Sequence, residues 1–62
     1  TDREIDVITM ICQQYATKEI ADRLGLSPRT IESHRVKILE KMDVKNTAGI
    51  VIYAIRHKIF TI

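Results

Sequence analysis

The sequence predicts an all-α fold of four short helices, and three observations carry that prediction. Apolar residues recur at three- and four-residue steps along most of the chain. No stretch alternates apolar and polar residues as a half-buried strand does. Capping residues and a glycine divide the chain into segments of helical length. With 62 residues, this is one small domain, of a size that buries only about 60% of the surface its unfolded chain exposes. A cofactor cavity beside the core is not expected.

Thr1-Asp2-Arg3-Glu4 has the form of a capping box, in which two side chains satisfy each other's free backbone N–H groups, so a first helix should begin there. Ile5, Ile8, Ile11, Cys12 and Tyr15 give it one apolar face, and it is expected to run through about Gln14. Thr17 is placed to cap a second helix from Lys18 to Leu24, with Ile20, Ala21 and Leu24 facing inward. Gly25 falls at the C′ position, where glycine takes the left-handed conformation most cheaply, and Leu26 supplies the accompanying apolar contact. Ser27 and Pro28 are an N-cap and a first-turn proline for a third helix reaching about Met42. On it Ile31, Ile38 and Met42 form the inward line, His34 and Leu39 the edges, and Arg29, Ser33, Val36 and Glu40 the opposite side. Asp43 to Lys45 connect to a fourth helix, capped by Asn46 or Thr47 and reaching about His57.

Composition narrows the class. The chain is 45% hydrophobic and 29% charged, as a globular domain is. Its longest apolar run, Ala48 to Ile55, is eight residues, far short of the roughly 20 that span a bilayer. The single Cys12 sits in an apolar helical stripe, which excludes a disulfide framework and suits a cytoplasmic setting. Charge is unevenly spread: two basic residues face five acidic ones up to Asp22, a net −3, and eight face three from Arg23 onward, a net +5. The chain opens on Thr1 rather than Met and enters a cap at once, so it is expected to be one domain, residues 1–62, of a longer protein.

The joint between the second and third helices is the informative unit. A helix that reads DNA must be held at a fixed steep angle to its support, and small and apolar residues at set positions enforce that angle. Gly25 as the turn glycine puts Ala21 where close approach demands a small side chain and Ile20, Leu24, Leu26 and Ile31 on core positions. An ordinary helical hairpin would not require this pattern, so the joint is read as a helix-turn-helix.

Thr1-Asp2-Arg3-Glu4, Lys18-Glu19-Ile20-Ala21, Leu24, Ser27, Thr30-Ile31-Glu32-Ser33-His34, Ile38, Lys41-Met42 and Val44 together resemble the LuxR/FixJ/NarL type of response-regulator DNA-binding domain over nearly the whole chain. In this order and spacing the set is highly specific. The resemblance implies a tri-helical core whose third helix enters the major groove and a C-terminal helix that forms a dimer contact. It also implies a transcription regulator of the two-component type, with a receiver or ligand-binding domain upstream. Two positions depart from the family pattern: Gln14 stands where a glycine is common, which bears on the loop conformation, and Thr47 stands where an arginine is common, which bears on a phosphate or stabilising contact.

The expected DNA contacts are Lys18, Arg29, Thr30, Glu32, Ser33, Arg35, Val36 and Lys37. Glu32 is able to accept from cytosine N4, Val36 to touch a thymine methyl, Ser33 to bond either way, and Arg29 or Lys37 to meet guanine or phosphate. The resemblance favours Glu32, Ser33 and Val36 as base readers. Lys18 and Thr30, at helix N-termini, suit phosphates. Arg35, close to the apolar line, either reaches a phosphate or pairs internally with an acidic residue. His34 has no Cys, Asp or second His at ligand spacing nearby, so a packed core or boundary histidine is expected there rather than a metal ligand or catalytic base, and His57 is expected exposed at a helix end, where its cationic form suits the dipole. The fourth helix is apolar nearly all round, with Ile50, Val51, Tyr53 and Ala54 on one face and Ala48, Ile52 and Ile55 on the other. That second face is expected to pair two copies on a two-fold DNA site, an upstream domain being the alternative cover.

The function expected is sequence-specific binding of double-stranded DNA by a homodimer, without cofactor, metal or enzymatic activity, with RNA polymerase as a further candidate contact. A sigma-factor-like promoter reader and a protein interaction module built on the fourth helix are the alternatives.

Overall fold

The computed structural model describes residues 2–62, and among them the chain forms four helices and no strand: α1 (Asp2–Cys12), α2 (Thr17–Leu24), α3 (Pro28–Met42) and α4 (Thr47–Arg56). The capping box expected from Thr1 lies outside the described residues. α2 packs most extensively on α3, while α1 packs against α4 and α3. The shared core is rich in β-branched side chains: Val7, Ile20, Ile31, Ile38 and Ile50 are fully buried, and Ile8, Ile11, Cys12, Ala21, Met42 and Ala54 complete it. Ala21 is fully buried where α2 meets α3, as a close crossing requires.

Helix ends explain the sharp turns between elements. Tyr15, Leu26, Val44 and Ile59 each donate a backbone N–H to the carbonyl five residues earlier, on Met10, Ala21, Leu39 and Ala54. The residue before each of them is left-handed: Gln14 (φ 70°), Gly25 (68°), Asp43 (56°) and Lys58 (58°). All four helices therefore close with the Schellman arrangement, and in each the following apolar side chain is half-buried against the core. At the other ends, the Ser27 hydroxyl accepts from the Thr30 N–H at 3.1 Å and Asn46 Oδ1 accepts from the Gly49 N–H at 2.9 Å.

Three features of the helices differ from those the sequence predicts. α1 ends at Cys12, because Gln14 takes the left-handed turn instead of continuing the helix. Its inner face is centred nearer Val7, which is fully buried, and Ile5 is 44% exposed at the edge. Near the centre of that face stands Glu4, whose carboxylate takes two 3.0 Å hydrogen bonds from Lys41 Nζ at the far end of α3. α2 starts at Thr17, with Ala16 as its N-cap residue. The Glu19 carboxylate accepts from the Ala16 N–H at 2.9 Å, and the Thr17 side chain is turned away from the helix end it was expected to cap.

Candidate nucleic-acid interface

Among the described residues nothing covers the side of α3 opposite Ile31, Ile38 and Met42. Arg29, Ser33, Val36, Lys37 and Glu40 are exposed there, and Val36, an apolar residue, is 54% exposed among polar neighbours. Leaving a valine side chain in water costs about 1.5 kcal/mol or more relative to burying it. At the start of the helix the Thr30 and Ser27 hydroxyls lie 3.0 Å apart, beside the backbone N–H groups of the first turn. Such a turn carries partial positive charge and free donors.

α2 approaches one flank of this face. Thr17 Oγ1 donates to Glu32 Oε2 at 2.6 Å, which brings the first turn of α2, with exposed Lys18, alongside α3. Arg35 Nη2 donates to both carboxylate oxygens of Glu32 at 3.1 Å, and Arg35 Nη1 donates to Thr47 Oγ1 at 2.7 Å, at the first residue of α4. A continuous polar chain thus runs from α2 through α3 to α4. The Thr17 hydroxyl first, and then the Arg35 guanidinium, hold the Glu32 carboxyl below its ordinary value.

Of the two roles open to Arg35, the structure occupies it internally, with Glu32 and Thr47. Lys18, Arg29, Thr30, Ser33, Val36 and Lys37 all remain on or beside the outer side of α3. Thr17 and Thr47 were not singled out as partners of α3. A separation of 15 residues between Thr17 and Glu32 carries no local signal, although the departure from the family pattern at Thr47 marked that position. Arg23, also basic, is held over the Tyr15 ring, 4.2 Å from its centroid.

On α4, Ala48, Ile52 and Ile55 form a separate exposed stripe, with Ile52 54% and Ile55 37% exposed, while Ile50 and Ala54 are buried on the other side. Tyr53 and His57 stack at 4.1 Å near the end of the helix. Among the described residues no three His, Cys, Asp or Glu side chains come together as a metal site, and no helix is long and apolar enough to cross a membrane.

Known proteins are similar to this chain in sequence. The family described as bacterial regulatory proteins, luxR family, matches residues 1–54. Over 57 residues the chain is 35% identical to the oxygen regulatory protein NreC of Staphylococcus carnosus, a match that covers 92% of this chain and 26% of that protein. Over 59 residues it is 39% identical to the transcriptional regulatory protein MctR of Rhizobium johnstonii, covering 95% of this chain and 28% of that protein. The chain spans about a quarter of the length of these curated relatives.

Proposed function

The chain belongs to the luxR family of bacterial regulatory proteins, whose helix-turn-helix domains bind DNA and are not enzymes, and from that premise we propose that α3 lies in the major groove of duplex DNA and reads base edges with its outer face. The observation that carries this reading is the exposed Val36, flanked by Arg29, Ser33 and Lys37 on a side of α3 that none of the described residues covers. An apolar side chain in that position suits a thymine methyl, and Ser33, Arg29 and Lys37 offer hydrogen bonds to base edges or phosphates. Lys18 and Thr30, in the first turns of α2 and α3, contact phosphates and set the register of the reading helix.

Two copies pair through Ala48, Ile52 and Ile55, so that two reading helices meet a two-fold symmetric site. The exposed stripe on α4, separate from the face that packs on the core, supports this. The relatives are about three and a half times as long as the chain, and in this reading an upstream receiver or ligand-binding domain controls pairing through α4.

Titrating duplex DNA with the chain and with Lys18→Glu and Lys37→Glu at several salt concentrations tests the reading. Affinity is expected to fall steeply with salt, each substitution lowering it and reducing the salt dependence by about one counterion or more. Binding indifferent to salt and to both reversals would overturn it.

A further inference from the structure

We propose that Glu32, although it lies beside the DNA-facing side of α3, is a positioning residue that locks α2 and α4 onto the reading helix and does not itself read a base. The assignment rests on the DNA-binding reading above and deepens it.

The carboxylate is already engaged. It accepts from Thr17 at 2.6 Å and from Arg35 at 3.1 Å on each oxygen. Three of its roughly four lone-pair sites are thus taken by this chain's own donors, and turning the side chain to meet a cytosine amino group would give those donors up. The Thr17 hydroxyl and the Arg35 guanidinium would then lose an ionised partner, an exchange with little net gain. The guanidinium also offsets a negative charge that would otherwise stand unpaired beside DNA phosphates.

What the carboxylate holds is what DNA binding needs held. Thr17 is the first residue of α2, next to Lys18, so its bond fixes where the phosphate-facing turn of α2 sits relative to α3. Arg35 carries the same fixture to Thr47, the first residue of α4, one residue before the Ala48–Ile52–Ile55 stripe begins. One carboxylate therefore sets the geometry among phosphate contact, reading helix and pairing helix. The reading residues that remain are Arg29, Ser33, Val36 and Lys37.

The test uses the duplex site that the wild-type chain selects from a randomised pool, a panel of its single base-pair changes, and random-sequence duplex as the non-specific reference. Glu32→Ala is expected to lower the ratio of specific to non-specific affinity by roughly tenfold, with the order of base preference unchanged at every position. Thr17→Val should lower it similarly, and the double variant no further than either single one. Glu32→Gln, which keeps an oxygen to accept from Thr17, should recover part of the loss. Thermal unfolding accompanies each variant, and if Glu32→Ala fails to fold, the Thr17→Val and Glu32→Gln profiles carry the test. Loss of preference at one base pair alone in a Glu32 variant would make Glu32 a base reader and overturn the assignment, as would an unchanged ratio or additive losses. Failure of the wild-type chain to select any site would remove the DNA-reading proposal, and this assignment with it.

Discussion

Gln14, Asp43 and Lys58 occupy the left-handed conformation at helix ends with a side chain attached, where only Gly25 avoids the steric cost. That conformation costs an L-residue roughly 1–2 kcal/mol, partly offset by the greater backbone entropy that glycine loses on folding. Gln14→Gly is therefore expected to stabilise the domain by about 0.5–1 kcal/mol, and Gly25→Ala to destabilise it by about 1 kcal/mol. A Cβ at Gly25 meets no atom within 4 Å, so the second loss is conformational. Chemical denaturation of the two variants checks both signs. The carboxylates make a second prediction. Glu4, bonded by Lys41, and Glu32, bonded by Thr17 and Arg35, both titrate below the ordinary value of 4.5 in the folded chain. Their contribution to stability is thus complete above that value and is lost as pH falls through the lower folded values. Melting temperature should drop below about pH 4.5, and the drop should be smaller in Glu32→Gln, whose side chain does not titrate.

At the scale of the element, the four Schellman closures and the caps of Ser27 and Asn46 set the angles that the core then fills. Ser27→Ala should cost about 1 kcal/mol through the lost N-cap of α3. Gly49→Ala is the more discriminating substitution. Helix propensity alone favours alanine by about 1 kcal/mol, but the added Cβ would stand 2.8 Å from Val44 Cβ, which belongs to the closure of α3. Overpacking of that kind costs about 1–3 kcal/mol, so a net loss is expected in thermal unfolding. The boundaries of α3 were legible because Gly25, Ser27 and Pro28 act locally. The end of α1 was not, because a left-handed glutamine leaves no mark in composition; the signs were the apolar Tyr15 after it and the glycine that the family commonly has at that position. The face of α1 was displaced because Glu4 takes an inward place that a polarity pattern assigns to an apolar residue. Thr17 was read as a cap because a threonine before a helix usually is one, and its partner on α3 is distant in sequence.

In the whole molecule, one apolar face of α4 closes the core and the other is left open, and the proposed pairing uses the open one. Ile52→Glu should leave folding stability within about 0.5 kcal/mol, since the side chain is already mostly solvated. It should sharply weaken binding to a two-site duplex while sparing a single half-site, a contrast that gel mobility or anisotropy resolves. The outer residues of α3 were legible in the sequence because one helical period fixes which side chains share a face. The polar chain from Thr17 to Thr47 was not, because it joins three elements whose mutual placement only the packed core determines. The measurement that bears most directly on the central claim is selection from a randomised duplex pool by the chain at several salt concentrations, followed by sequencing of the retained fraction. A short repeated motif whose affinity falls steeply with salt is the predicted result, and retention of no motif with little response to salt would contradict it.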